Sequence, residues 1–391
     1  MYYVGDEVIL FEPFFDLYVN QIKLAGGIPV YVPLTFVPYD DDDDSNGGGG
    51  EWILEGNVLK EKITDQTRAI ILNSPHNPTG KVFTKNEMET IASLIQTQAG
   101  TQCVVLSDEV YKYIIHSPPP MEEDESELLD ATTTTTTTSS LSCPGHVHFA
   151  TLPGMWERTI TISSAGKTFS ATGWQVGWCI GPRSLIQPIH QLLPYVQFCA
   201  STVIQDALAR TLAKADQPYE GFPTYYDYLR AMYTRKRDLL ASSLRQHGFG
   251  IPDYHQTPGG GFFIFARMTP NIQKALPSNR INVPNDAAPG GIARQDWAFC
   301  QWLLETKGIL CIPASPFFSS QPRTVSTTTT TNNNAASSDE FIRIAFCKSD
   351  DTIQTAAHGF SLLQPTNQEI DEEETQIVDS MEKTPTTMEQ K

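Results

Sequence analysis

Ser163-Ser164-Ala165-Gly166-Lys167-Thr168-Phe169-Ser170-Ala171-Thr172-Gly173-Trp174 directly follows Thr159-Ile160-Thr161-Ile162. The preceding four residues alternate apolar and polar with period two, which reads as a strand. That strand ends in small residues, presents Lys167 on a loop and continues through Gly173 and Gly177. A reactive amine is set at the edge of a sheet in this way. A solvent-facing lysine has the same local sequence, so the rest of the chain has to supply its partners.

Outward from this stretch, the chain repeats a strand–helix–strand rhythm. Val8-Ile9-Leu10-Phe11 is an apolar strand, Glu12-Pro13-Phe14-Phe15 a turn, 16–25 a helix ending at Gly26-Gly27, and 28–34 a second strand. Arg68-Ala69-Ile70-Ile71-Leu72 is a strand that runs into Asn73-Ser74-Pro75-His76-Asn77-Pro78-Thr79-Gly80, a loop dense in turn-formers. The 84–98 segment reads as a helix opened by a Thr84/Glu87 capping box, and Cys103-Val104-Val105-Leu106 as a buried strand ending at Ser107-Asp108-Glu109-Val110-Tyr111. Such a rhythm predicts an α/β fold with a mainly parallel sheet covered by helices. Open sheets of this kind bind ligands just past the carboxyl ends of their strands. Asn77, Asp108, Tyr111 and Lys167 all fall there.

Further on, 182–215 is helical and 225–246 a long amphipathic helix. A strand enters at Gly259-Gly260-Gly261-Phe262-Phe263-Ile264-Phe265, a helix covers 295–307, and 308–313 and 341–346 are further strands. Three polar low-complexity stretches, near 40–50, 117–145 and 319–338, read as inserts, and the end of the chain from 364 as a disordered acidic tail.

The formal net charge of the 391 residues is -18. Asp40 to Asp44, the acids between Glu122 and Asp130, and the tail after Gln364 together account for -17 of it. The remainder is near neutral, so the acidity belongs to solvated segments and says little about partners. No basic stripe is present to track a nucleic-acid backbone. No apolar run is long enough to span a bilayer. The seven scattered cysteines contain no C-x-x-C pair, which points to reduced thiols in an intracellular protein. His146-x-His148 reads as a surface pair, and no metal site is expected.

Glu12-Pro13-Phe14-Phe15-Asp16, His76-Asn77-Pro78-Thr79-Gly80-Lys81-Val82-Phe83, Ser107-Asp108-Glu109-Val110-Tyr111 and Ser164-Ala165-Gly166-Lys167-Thr168-Phe169 resemble, in order and spacing, the fold-type I pyridoxal-phosphate-dependent aminotransferases of class I/II. The likeness runs to about residue 363 and is nearest to the kynurenine aminotransferase, glutamine transaminase K and cysteine-S-conjugate β-lyase group. It implies an aspartate aminotransferase-like fold. Residues 1–220 would form a large domain that binds pyridoxal 5'-phosphate, and 221–363 a smaller α+β domain.

By the same resemblance, Lys167 is the Schiff-base lysine that shuttles the α-proton, and Asp108 the partner of the pyridine nitrogen. Asn77 and Tyr111 resemble the donors to the cofactor's phenolic oxygen. Phe15 resembles the ring-stacking aromatic, with the adjacent Phe14 as the alternative, and Ser164 a phosphate ligand. Arg343, on an otherwise apolar strand, resembles the clamp for the substrate carboxylate, with Asn77 beside it. The implied reaction moves an amino group from kynurenine or an aromatic, glutamine-like or sulfur-containing amino acid to a 2-oxo acid. The expected assembly is a homodimer, in the cytoplasm or mitochondrion.

Two departures temper the match. The family places a basic residue after the Gly173-Trp174 pair, facing the cofactor phosphate; here it is Gln175. An amide donates a hydrogen bond but lacks the charge, and a close ion pair is worth roughly 4 kcal/mol at an effective dielectric of 20, before desolvation. The family also carries a segment ahead of the position of Gly5, with an N-terminal arm, part of the phosphate cradle and the first strand of the sheet. The expectation is that this segment is missing and a sheet edge exposed. An impaired homologue acting as a binding protein and a C–S β-lyase are therefore the alternative readings, with an aminocyclopropane-carboxylate synthase-like lyase a weaker third.

Overall fold

The computed structural model describes residues 5–39, 49–98, 102–116, 145–252, 259–277, 280, 293–319 and 337–363. Most of the segments read as inserts near 40–50, 117–145 and 319–338 (40–48, 117–144 and 320–336), and the tail from 364, lie outside the described residues.

In chain order the elements of the first half are β1 (Glu7–Glu12), α1 (Leu17–Leu24), β2 (Ile28–Pro33), β3 (Thr35–Pro38), β4 (Gly50–Ile53), α2 (Gly56–Lys62), β5 (Thr67–Asn73), α3 (Lys85–Thr97), β6 (Val104–Asp108), β7 (Thr159–Ser164), α4 (Ala165–Thr168) and β8 (Gly177–Ile180). There follow α5 (Arg183–Val196), α6 (Thr202–Ala215), α7 (Tyr225–Gln246), β9 (Phe249–Gly250), β10 (Phe263–Met268), α8 (Pro270–Lys274), α9 (Gln295–Lys307), β11 (Ile312–Pro313), β12 (Phe341–Ala345) and α10 (Asp350–Ser361).

Six strands form one sheet in the order β2-β1-β5-β6-β7-β8. All its pairings are parallel except β7–β8. The apolar runs of β1 and β5 are buried as a sheet covered on both faces requires, while β6 buries Val105 and leaves Val104 and Leu106 half-buried. A second, antiparallel sheet runs β11-β12-β10-β9. The long helix α7 joins its core, packing Leu229, Tyr233, Leu240 and Leu244 with Ile264, Phe299 and Phe346. The two sheets are also tied through one apolar cluster, in which Ile9, Ile70 and Val105 of the first share a core with Phe265 and Phe341 of the second.

Four local readings need correction or sharpening. Lys167 sits on a one-turn helix, α4, not on a loop: the Ser164 hydroxyl accepts from the Gly166 N–H and starts the turn. The 182–215 region is two helices, broken at 197–201, where Phe198 takes φ 69°. Of 308–313, only β11 pairs as strand. The hairpin β3–β4, which has no clear strand alternation in the sequence, closes over the core with Phe36 and Trp52. The predicted capping box on α3 forms in full. Strand β8 lies at one end of the sheet and is largely exposed.

Two histidines are buried in this framework. His76 bonds the Thr79 hydroxyl through Nδ1 at 2.8 Å, while both ring nitrogens of His116 lack a hydrogen-bond partner among the described residues. Burial pushes each down to about 3, with Lys81 adding to it for His76 and Arg237 for His116. A group whose pKa is lower folded than unfolded binds more protons when unfolded, so stability falls as pH drops from about 6.5 towards 3. At pH 5 the loss is about 2 kcal/mol per histidine. Urea denaturation at pH 7.5 and pH 5 should show this drop, and His116→Leu should remove roughly half of it.

Candidate active site

The carboxyl ends of β5, β6 and β7 open onto one cavity of about 290 Å³. Strand β7 delivers Ser164, and α4 turns Lys167 inward. Gly166 is required there, because a Cβ would lie 3.0 Å from the Thr172 Cα. The loop that presses on it is held by hydrogen bonds from Ala171 N–H and the Thr172 hydroxyl to the Gly166 carbonyl. Lys167 Nζ lies 5.8 Å from the centre of the Tyr111 ring and 5.5 Å from that of Phe262.

Asp108 ends β6. Its Oδ2 accepts from the Tyr18 hydroxyl at 2.5 Å and its Oδ1 from the Val110 N–H at 3.2 Å. Burial raises the pKa of this carboxyl; the Tyr18 and Val110 hydrogen bonds and the nearby Lys167 act against that rise. Tyr18 is itself pushed well up, first by burial and then by Asp108, so its hydroxyl keeps its proton and donates. Asn73, the last residue of β5, donates from Nδ2 to the Asp108 carbonyl and accepts from the Asn77 N–H. The Asn77 side chain accepts through Oδ1 from Arg343 Nη1 at 2.8 Å, which turns its NH₂ away from that arginine.

Arg343 reaches the cavity from β12 of the second sheet. Its neighbours Ile342 and Ile344 face the α7 core, so alternation along the strand sends Arg343 the other way. Its guanidinium lies over the rings of Phe317 at 4.7 Å and Phe263 at 5.6 Å. Its buried Nε has no hydrogen-bond partner among the described residues. A guanidinium held over aromatic faces with a buried N–H to spare is set for an incoming carboxylate.

Seven of the eight residues singled out from the sequence therefore line one cavity: Phe15, Asn77, Asp108, Tyr111, Ser164, Lys167 and Arg343. Phe14 is resolved away from it, stacked on Tyr31 in a separate core cluster. Gln175 is not brought to the cavity. It is exposed in a left-handed conformation (φ 54°), and its amide donates to the Thr172 carbonyl at 2.7 Å. Tyr18, Asn73, Phe262 and Phe263 line the cavity and were not singled out. Asn73 met the same criterion as Asp108, a polar residue at the carboxyl end of a parallel strand. Tyr18 lies three residues after Phe15, on the same side of the turn into α1.

His146 and His148 are not a surface pair: the His146 side chain is fully buried, and both rings converge on Glu109. Burial alone would raise the Glu109 carboxyl, but the two rings outweigh it and hold the pKa at about 2.

Fold and site define an α/β enzyme of the aspartate aminotransferase-like, pyridoxal-phosphate-dependent type. A sequence profile described as aminotransferase class I and II matches residues 1–360, and the chain belongs to that family. It is similar to kynurenine–oxoglutarate transaminase of Dictyostelium discoideum, with 36% identity over 360 residues, 90% of this chain and 70% of the relative. Human kynurenine–oxoglutarate transaminase 3 is 33% identical over 358 residues, and there the chain spans 65% of the relative's length. Among solved structures, N-succinyldiaminopimelate aminotransferase from Mycobacterium tuberculosis superposes with a TM-score of 0.65 at 30% identity, covering 92% of this chain and 72% of that one. The aromatic aminotransferase of Pyrococcus horikoshii gives 0.63 at 26% identity, covering 92% and 73%.

The residues present fit the family's cofactor: a primary amine, a buried carboxylate, an aromatic wall and a cation with an orphaned N–H share one cavity. Tyr18 touches Asp108, not the space of the cavity's amine, and so acts as a positioning residue for that carboxylate. Tyr18→Phe should weaken binding of pyridoxal phosphate about tenfold, the worth of one hydrogen bond to a charged group. An absorbance titration of the purified chain measures this directly.

Proposed function

We propose that this chain catalyses transamination between an amino acid of the kynurenine, aromatic, glutamine or sulfur-containing class and a 2-oxo acid. The observation that carries the reading is the meeting of Lys167, Asp108 and Arg343 in one cavity. The names of the most similar relatives favour kynurenine as amino donor and 2-oxoglutarate as acceptor.

Each side chain has a task in that reaction. Bound pyridoxal phosphate supplies an electron-withdrawing ring that makes the substrate α-proton acidic. Lys167 would be the nucleophile that tethers the cofactor, and its amine would take and return the α-proton. Asp108 would hold a proton on the pyridine nitrogen, and Tyr18 and the Val110 N–H hold Asp108 in place. The Asn77 NH₂ and the Tyr111 hydroxyl would serve as donors to the cofactor's phenolic oxygen, Phe15 as an aromatic wall for its ring and Ser164 as a ligand for its phosphate. Arg343 binds the substrate carboxylate in concert with Asn77 and thereby sets which substrate face meets Lys167.

Adding pyridoxal phosphate should produce a visible absorbance band that kynurenine bleaches and a 2-oxo acid restores. Lys167→Ala should abolish both the tethered band and turnover, a loss of several orders of magnitude. No band in the wild-type chain would overturn the reading.

We further propose that the active form is a homodimer. Leu192, Tyr195, Val196, Phe198 and Ile180 are exposed by 60%, 88%, 74%, 79% and 48%, on α5, the break after it and the adjacent strand β8. Apolar surface of this kind, with Phe198 held in an unfavourable backbone region to present its ring, supports burial against a second copy. Sedimentation should give a dimer, and Val196→Glu with Phe198→Glu should shift it to monomer.

A further inference from the structure

Behind the active site, three potential metal ligands converge. Glu109 follows Asp108, and successive side chains at a strand end point to opposite faces, so Glu109 faces away from the cofactor cavity. Its N–H is fixed to the Ile162 carbonyl of β7 at 2.9 Å, and its Oε1 accepts from the Ser107 hydroxyl at 3.0 Å. The other oxygen, Oε2, lies 2.6 Å from His148 Nδ1 and 3.2 Å from His146 Nε2. The two rings are nearly perpendicular, at 82° with centroids 4.7 Å apart. All three ligand atoms lie within 4.8 Å of one another.

Hydrogen bonding among these groups leaves a deficit. The His146 side chain has no solvent exposure, yet neither of its ring nitrogens has a hydrogen-bond partner among the described residues. Nε2 meets Glu109 Oε2 at 3.2 Å as a charge contact without the alignment of a hydrogen bond, and Nδ1 has no partner among the described residues. An unmet buried polar group costs about 1–3 kcal/mol, and native structures rarely leave one without a reason. A cation among the three would meet the Nε2 part of that deficit, because the Nε2 lone pair would then have an acceptor orbital to fill.

We propose that Glu109, His146 and His148 form a binding site for a divalent cation of the zinc class. Two imidazoles and a carboxylate are borderline ligands that suit zinc over calcium or magnesium. Tetrahedral ligation at about 2.0–2.2 Å puts ligand atoms about 3.3 Å apart. The His146–Glu109 separation already matches, and His148 has to withdraw by well under 1 Å. With its side chain 36% exposed, His148 gives the ion a route from solvent and leaves the fourth position for water. The Ser107 hydroxyl orients the ligating carboxylate from outside. Such an ion cross-links the end of β6 to residues 146–148 ahead of β7 and stiffens the backbone that carries Asp108. It takes no part in the chemistry.

The test is zinc binding by the full chain, loaded with pyridoxal phosphate, after treatment with a chelator and dialysis. Zinc is titrated against a chromophoric competitor, with the visible bands of cobalt(II) reporting the ligand set. One ion per chain is expected. His148→Ala and Glu109→Gln should weaken binding beyond the roughly 10–100-fold that follows loss of an outer partner. His190→Ala, which removes an exposed histidine on α5, should leave it unchanged. Zinc should also raise the melting temperature of the wild type but not of His148→Ala, a half-exposed position whose replacement leaves the core intact. Absence of stoichiometric zinc uptake, or equal affinity in His148→Ala, would overturn the proposal.

Discussion

A carboxylate taken out of water at the end of β6 is the demanding feature of this site. Burial drives the pKa of Asp108 upwards, whereas the proposed pairing with a protonated ring nitrogen would need the ionised form. Two donors oppose the burial, the Tyr18 hydroxyl from α1 and the Val110 N–H from the segment after β6, with Lys167 adding a nearby positive charge. These groups come from three separate stretches. Only the parallel order β1-β5-β6-β7 brings those stretches to one edge. Asn73 then uses both ends of its amide to fasten the Asp108 carbonyl and the Asn77 N–H, so the loop after β5 is positioned from the same strand end.

Lys167 depends on a different device, steric exclusion. The chain has to pass within van der Waals distance of α4, and it does so at Gly166, where Thr172 leaves no room for a Cβ. Gly177 plays the matching part on β8, where a Cβ would lie 2.9 Å from the Ser163 carbonyl. The spacing of glycines around the lysine thus reflects backbone packing and has no bearing on its reactivity.

Much of this was readable before any coordinates. Strands β1, β5, β6 and β7, helix α7 and the capping box on α3 follow from apolar runs, periodicity and local capping chemistry, all of which act within a few residues. The rule that ligands collect past the carboxyl ends of parallel strands picked out Asn77, Asp108, Tyr111 and Lys167. Tyr18 was not legible, because its partner is 90 residues away and a tyrosine on a short amphipathic helix is otherwise ordinary core. The burial of His146 and the convergence of His148 on the same carboxylate were missed for a related reason: both depend on Glu109, whose inward direction is set by the pairing of β6 with β7. Gln175 was placed by its position in a motif, but its left-handed backbone turns the amide back onto Thr172.

Arg343 and Asn77 connect the site to the rest of the molecule. Asn77 belongs to the loop after β5 of the parallel sheet and Arg343 to β12 of the antiparallel one, and their 2.8 Å hydrogen bond is made across the cavity. The hydrophobic cluster that spans both sheets holds their backbones together, but it contributes no directional contact at the cavity itself. A carboxylate bound by Arg343 would give the orphaned Nε a partner beside the existing bond to Asn77 Oδ1. In the proposed reaction, substrate binding would draw on the same residues that join the sheets, and a ligand without a carboxylate would leave the buried Nε unpaired. That N–H is already buried without a partner, so a carboxylate reaching it would relieve a cost of about 1–3 kcal/mol that a ligand without one would leave in place.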